Sequence, residues 1–162
     1  MARIVAFLVL AAALAAPATA QRQSLGVFGG WAAFRDQGRC YAIASSVAGP
    51  RPEGWRAFLS VGHWPARGPG GQVHVRLSRA KRDGSAVLLR IDGQSYQLVG
   101  SGRDAWAPDG AADDAILTAM RTGLNLVVET RAANGVRLRD GYQLRGAATA
   151  IDAAALACRP RR

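Results

Sequence analysis

Alternating apolar and polar residues fill the middle of the chain and restrict its fold more than any other feature. In each alternating run, every second side chain is apolar, which is the period of a strand with one buried face. Val73, Val75 and Leu77 illustrate the pattern, because they share one face opposite His74 and Arg76. The runs span residues 73–79, 86–91, 124–131 and 136–139.

Short polar turns separate these runs. Asp83-Gly84, Asp92-Gly93 and Asn134-Gly135 each lie between two alternating segments, and Asp36-Gln37-Gly38 lies between residues 27–35 and 39–47. Such pairs accept the positive φ angles that tight hairpin turns require. The sequence therefore predicts successive hairpins in an antiparallel meander.

Two helices are predicted, one between strands and one after the last strand. Residues 111–122 carry Asp113 and Asp114 in the first turn and Arg121 in the last, which suits the helix dipole. A second, short helix is predicted at about 150–157, with Thr149 as its N-cap. The fold class is thus mainly β: an antiparallel β-sandwich or flattened barrel of about eight strands, with one packed helix and a short C-terminal helix.

The first 20 residues have the three parts of an export signal. Arg3 is followed by an apolar run from Ile4 to Leu14 and by Ala18-Thr19-Ala20, whose small residues suit signal cleavage. The apolar run is shorter than the roughly 20 residues that span a bilayer. We therefore expect cleavage after Ala20, a periplasmic or secreted location, and a single β-rich domain at 21–162 without a transmembrane segment.

Cys40 and Cys158 are the two cysteines of the chain. In an oxidising compartment such a pair is expected to form a disulfide, which would link the strand at 39–47 to the C-terminal helix. A catalytic thiol would need a neighbouring base, and neither cysteine has a histidine close to it in sequence.

The formal net charge of +10 predicts attraction to anionic partners. Every basic residue except Lys81 is arginine, and alanine and glycine are also abundant, which is typical of a GC-rich genome. Export would place the charge outside the cytoplasm, so an anionic envelope component or another envelope protein is expected rather than nucleic acid.

Several motifs follow one another in a characteristic order along the chain. They are Phe28-Gly29-Gly30-Trp31, Cys40-Tyr41-Ala42, Leu88-Leu89-Arg90-Ile91-Asp92-Gly93, the helical segment 114–123, and Tyr142 to Ile151 before Cys158. This order resembles the invasion-associated locus B family of exported bacterial proteins. The resemblance spans essentially the whole exported part of the chain and implies a β-rich, envelope-associated domain without catalytic residues. Family members often carry further cysteines where this chain has Ala32-Ala33-Phe34 and Asp104-Ala105-Trp106-Ala107.

No residue pattern indicates catalysis or metal binding. His63 and His74 are the two histidines, and the residues around them do not supply the three or four ligands of a zinc site. The serines lack a Gly-x-Ser-x-Gly motif. We therefore expect no enzyme activity, no metal and no cofactor; the alternative is a periplasmic enzyme inhibitor, or an enzyme whose site the sequence does not reveal.

Two sets of residues are candidates for binding. Arg76, Arg90, Arg137 and Arg139, together with His74, would form a continuous cationic surface if their strands were neighbours, or else an ordinary solvated face. Trp64 and Trp106 lie near Pro- and Gly-rich segments and are expected to be exposed, where Trp stacks on sugars or anchors an interface. Trp31 and Trp55 are expected to fill the core instead.

Overall fold

The computed structural model describes residues 22–51, 56–68 and 70–159. The predicted signal peptide at 1–20 and Trp55 lie outside these ranges. Within them the chain forms ten strands, one 3₁₀ turn and two α-helices. They are β1 (Gln23–Phe28), β2 (Trp31–Asp36), β3 (Arg39–Ser45), β4 (Phe58–His63), the 3₁₀ turn Pro65–Arg67, β5 (Gln72–Arg76), β6 (Val87–Ile91), β7 (Gln94–Ser101), β8 (Asp104–Trp106), α1 (Gly110–Thr122), β9 (Asn125–Arg131), β10 (Arg137–Gln143) and α2 (Ala147–Ala157).

All ten strands belong to one antiparallel sheet in the order β1-β2-β3-β4-β5-β8-β7-β6-β9-β10. The sheet curls back on itself, because the chain just after β3 pairs with β10. Val47 N donates to Gly141 O at 2.8 Å, and Gly141 N donates to Ala48 O at 2.8 Å. The mainly β class with a packed helix and a short C-terminal helix is confirmed, with ten strands instead of about eight.

Three of the four predicted hairpins are present: β2 pairs with β3, β6 with β7, and β9 with β10. The hairpin at Asp83-Gly84 is wrong, because β5 pairs with β4 and β8 and not with β6. The chain after β5 instead runs past the turn between β7 and β8. There, Leu77 N and Lys81 N donate to the carbonyl oxygens of Arg103 and Gly102, each at 2.7 Å. Strands β8 and β7 therefore lie between β5 and β6.

The core lies between the inward face of the sheet and the two helices. Trp31 is fully buried, as expected, and its Nε1 donates to Gln143 O at 2.9 Å. Helix α1 begins at its N-cap Asp109, whose side chain accepts a hydrogen bond from Ala112 N. Helix α2 begins earlier than predicted, because Gly146 and not Thr149 is its N-cap. Among the described residues, neither helix has the length and apolar character needed to cross a membrane.

The predicted disulfide is confirmed. Cys40 in β3 and Cys158 at the end of α2 are bonded, with a Cα–Cα distance of 5.7 Å. Helix α2 packs against β1, β2 and β3, and the Arg35 guanidinium donates a hydrogen bond to Ala157 O near its end. The disulfide thus fixes the last helix to the inward face of the sheet.

Candidate functional site

An aromatic groove of about 370 Å³ crosses the outward face of β3, β4, β5 and β8. It is the candidate functional site, because it combines exposed rings, hydroxyl and amide groups, and two arginines in one concavity. The residues that line this aromatic groove are Arg22, Arg39, Tyr41, Ile43, Phe58, Ser60, Gly62, Trp64, Gln72, His74 and Trp106.

Strand register produces the groove. Residues directly opposite each other on neighbouring strands share one face of a sheet. One such row runs from Ser60 on β4 through His74 on β5 to Trp106 on β8. The adjacent row joins Tyr41 to Gly62. Because β4 contributes only a serine and a glycine to these rows, the sheet is depressed there between larger side chains.

His74 is held between rings at one end of the groove. Its imidazole stacks on Trp106, with ring centroids 5.2 Å apart, and meets the edge of Phe58 at 5.7 Å. His74 Nε2 lies 2.9 Å from Asp104 Oδ1, and Arg76 Nη1 lies 2.7 Å from Asp104 Oδ2. Asp104 therefore orients the imidazole, so that this aromatic cluster is formed before any ligand arrives. Trp106 is 37% exposed, so the expected exposure of this residue is observed.

Trp64 closes the groove at the side of the 3₁₀ turn. Its ring covers Gly62, where an added Cβ would be 2.6 Å from Trp64 Cη2. The Arg67 guanidinium covers the ring, with Cζ 4.8 Å from its centroid. Trp64 is consequently half-buried, so the expectation that this ring is exposed is wrong.

Two arginines give the groove a cationic end near Tyr41. Arg39 Cζ lies 5.0 Å from the centroid of the Tyr41 ring, and Arg22 Cζ lies 6.0 Å from it. Arg39 also forms a long ion pair with Asp36, at 3.8 Å. Contacts of this kind hold a guanidinium over a ring while its N–H groups stay accessible to an anion.

The predicted binding residues fall into two surfaces. Trp64 and Trp106 come together in the aromatic groove, and Arg76 lies beside it through its ion pair with Asp104. The remaining three, Arg90, Arg137 and Arg139, lie on β6 and β10. Since β8 and β7 separate β5 from β6, the four arginines do not form one continuous row.

Sequence reasoning missed several residues of the groove. Tyr41 belongs to a motif of the family resemblance, and no local pattern marks Phe58, Gln72 or Arg39 as binding residues. Phe58 on β4 is in phase with Trp64, and Gln72 is in phase with His74 on β5. Tyr41 and Arg39 lie on β3, so their place in the groove becomes apparent only when the strand neighbours are known.

His63 lies directly behind the groove. Gly62 and Trp64 on either side of it line the groove, whereas the His63 ring packs beneath α1. An added Cβ at Gly71 would lie 2.8 Å from His63 Cε1 and 3.0 Å from Leu117 Cδ1 of α1. The residue is 6% exposed, and neither ring nitrogen makes a hydrogen bond of ordinary geometry with the described residues.

Burial lowers the pKa of the His63 imidazole below its usual 6.5, and the positive charge of Arg121 lowers it further. The Gly70 backbone and the Asp152 carboxylate act in the opposite direction without reversing the shift. A pKa that is lower in the folded state than in the unfolded state means that the unfolded chain binds the proton more readily below pH 6.5. The folded state is therefore favoured fully while His63 is neutral, above pH 6.5. This stability is lost as the pH falls through the folded-state pKa of His63.

We expect wild-type protein to lose up to about 1.4 kcal/mol more stability than His63→Gln between pH 7.5 and 5.5. The measurement is urea unfolding at both pH values, and His74→Gln serves as the control for the other histidine. Burial raises the pKa values of Asp113 and Asp140, so these carboxyls favour folding at lower pH. Wild type, His63→Gln and His74→Gln all keep these two carboxyls, so their effect cancels when the three proteins are compared. Equal pH dependence in wild type and His63→Gln would contradict the assignment.

No group of three or more His, Cys, Asp or Glu residues is arranged to hold a metal ion within 22–51, 56–68 and 70–159. The side chains that line the groove supply rings, hydroxyls, an amide, one imidazole and guanidinium groups. Such groups recognise a ligand by stacking, hydrogen bonding and charge.

Comparisons with known proteins do not assign a family. No family model matches the chain, and no solved structure matches it. An alignment over 112 positions, which covers 66% of this chain, is 32% identical to part of the carbamoyl phosphate synthase large chain of Micrococcus luteus. The match covers 10% of that enzyme's length. It therefore carries no argument about activity, and the groove must be interpreted from its own chemistry.

Proposed function

We propose that this chain is a non-catalytic exported envelope protein that binds an anionic envelope glycan in the aromatic groove. The observation that carries the proposal is the groove itself, in which stacked rings, polar groups and arginines line one concavity. Export is supported by the disulfide, because such bonds persist in oxidising compartments. The resemblance to the invasion-associated locus B family supports the same type of protein.

Each part of the groove suits one part of a charged sugar. The apolar C–H face of a pyranose packs on an indole, which Trp106 presents at 37% exposure. Sugar hydroxyls can bond with Ser60 and Gln72 in the floor. A carboxylate or phosphate substituent fits the guanidinium groups of Arg22 and Arg39, since charge-assisted bonds to Arg are short and strong. Lipopolysaccharide also combines sugar rings with anionic substituents and would suit the same side chains. A protein ligand would not bring a sugar ring to Trp106.

The alternative class is an enzyme, and one observation favours it. Asp104 contacts His74 Nε2, and Ser60 lies directly opposite His74 on the next strand. Nucleophilic catalysis requires the serine to be within hydrogen-bond reach of the imidazole. No such bond joins Ser60 and His74 in the structure, so binding remains the better explanation of the groove.

The proposal is tested with an oligomer of a uronic acid and its carboxyl-reduced, neutral counterpart, titrated by calorimetry. We expect Trp106→Ala to weaken binding of the acidic oligomer by about tenfold or more, equivalent to 1.4 kcal/mol. Trp106→Phe, which keeps a ring, should retain most of the affinity. Arg39→Ala should weaken the acidic oligomer but leave the neutral one unchanged, because it removes only the charge contact.

Two outcomes would overturn the proposal. If Trp106→Ala binds as tightly as wild type, the groove is not the binding site. If the neutral oligomer binds as tightly as the acidic one, the ligand is not selected by charge.

A further inference from the structure

A second charged surface lies on the outward face of β6, β9 and β10. Its arginine cluster consists of Arg90, Arg131, Arg137 and Arg139 around the single carboxylate of Glu129. These residues border an open concavity of about 690 Å³, together with Ser85, Ala86, Leu88 and Thr130. The cluster is separate from the aromatic groove, because β7 lies between β8 of the groove and β6 of the cluster.

Strand register determines how the charges face each other. Arg139 on β10 lies directly opposite Glu129 on β9, and Arg137 lies directly opposite Arg131. Arg131 is the last residue of the alternating run 124–131, and the run alone does not mark it as a binding residue. The pairing with Arg137 becomes apparent only from the register of β9 and β10.

Glu129 is already engaged by two of the four arginines. Arg90 Nε lies 3.1 Å from Glu129 Oε2, and Arg139 Nε lies 3.5 Å from Glu129 Oε1. Among the described residues, Arg131 Nη1 donates only to Gly135 O, at 3.3 Å. The Arg137 guanidinium forms no ion pair or hydrogen bond with the residues that the structure describes.

The Arg131–Arg137 pair therefore carries two positive charges on opposite positions of neighbouring strands without a carboxylate between them. Like charges in such positions destabilise a sheet. In this hairpin the guanidinium groups of Arg131 and Arg137 both border the open concavity. That arrangement suits one anion with several oxygens and more than a single negative charge.

We propose that the arginine cluster binds a phosphate group, held between Arg131 and Arg137 with Arg139 beside it. A phosphate ester carries up to two negative charges and accepts bidentate bonds from guanidinium groups, so it matches the two uncompensated cations. The concavity is open, so the phosphate can belong to a larger molecule. This site goes beyond the glycan groove and gives the protein a second, independent contact.

The test uses inorganic pyrophosphate as the soluble probe and phosphatidylcholine vesicles with or without phosphatidic acid as the lipid probe. Arg137→Gln should weaken pyrophosphate binding by about tenfold. Arg159→Gln is the matched control, since it removes the same charge from an exposed position after α2 and should change affinity less than twofold. The fall in affinity with added salt should also be smaller for Arg137→Gln than for the control.

The vesicle arm identifies the source of the phosphate. Binding to vesicles only when they contain phosphatidic acid, together with pyrophosphate binding, supports a lipid headgroup. Pyrophosphate binding without vesicle binding supports a phosphorylated soluble or glycan ligand. If Arg137→Gln and Arg159→Gln weaken pyrophosphate binding equally, the effect is general charge and the site is disproved.

Stability provides a further readout that a purely structural role would not produce. Because Arg137→Gln removes repulsion with Arg131, its melting temperature should equal or exceed that of wild type while binding falls. A lower melting temperature would mean that Arg137 serves the fold. Trp106→Ala should bind pyrophosphate normally, so failure of the groove and failure of this site are distinguishable.

Discussion

Replacing Cys40 and Cys158 together by alanine is expected to lower the free energy of unfolding by about 4–5 kcal/mol. The two cysteines are 118 residues apart, so the disulfide closes a loop that includes strands β4 to β10. In the chain-entropy model a loop of this size restricts the unfolded chain by about that amount. Many domains have a total stability of about 5–15 kcal/mol, so the loss is a large fraction.

The structure adds a second reason for a large effect. Helix α2 buries Ala147, Ala150, Ile151 and Ala154, and three of these four side chains are single methyl groups. A buried methylene-sized group contributes only about 0.8 kcal/mol, so α2 has few strong apolar contacts. The disulfide at its end and the Arg35 contact with Ala157 therefore carry much of its attachment to β2 and β3.

The measurement is urea unfolding of the double alanine variant beside oxidised and reduced wild type. The reduced wild type is the control, because it keeps both side chains and loses only the bond. Limited proteolysis should cut α2 first in both destabilised forms, since that helix loses its anchor. A loss below about 1 kcal/mol would show that packing alone attaches α2.

Local patterns in the sequence predict most strands and both helices of this fold. Alternation marks β5, β6, β9 and β10, because a sheet with one buried face imposes a period of two on its residues. Three turns are predicted correctly because the conformation of a tight turn depends on its own residues, and glycine after Asn or Asp accepts the positive φ angles of such a turn. The Asp83-Gly84 turn misleads because its dipeptide is compatible with a hairpin, while the flanking strands find better partners elsewhere.

The candidate sites depend on pairings between strands that are distant in the chain. Trp106 meets His74 because β8 pairs with β5, and Arg90 meets Glu129 because β6 pairs with β9. No local pattern encodes either partner. Strand β3 hides its groove residue Tyr41 for another reason: apolar residues occupy both of its faces, so its sequence resembles a fully buried strand.

Replacing Gly146 by alanine is expected to lower the free energy of unfolding by about 2–4 kcal/mol. Gly146 has φ +91°, a conformation that L side chains rarely adopt. An added Cβ would overlap the carbonyl group of Phe28, lying 2.5 Å from its carbon. The β10–α2 turn and the β1–β2 turn therefore pack backbone to backbone, and a methyl group forces them apart.

The matched control is Gly135→Ala, in the hairpin between β9 and β10. Gly135 has φ +82°, but an added Cβ there would meet nothing within 4 Å. Its cost is therefore the backbone strain alone, about 1 kcal/mol, and the difference between the two variants measures the close approach at Phe28. Arg22 immediately precedes β1, and its Cζ lies 5.7 Å from the centroid of the Phe34 ring on β2. Because Gly146→Ala would displace this hairpin, it should also weaken binding of the acidic oligomer, while Gly135→Ala should not. Equal destabilisation by both variants would mean that the two turns do not restrain each other, and that another contact positions the cationic end of the groove.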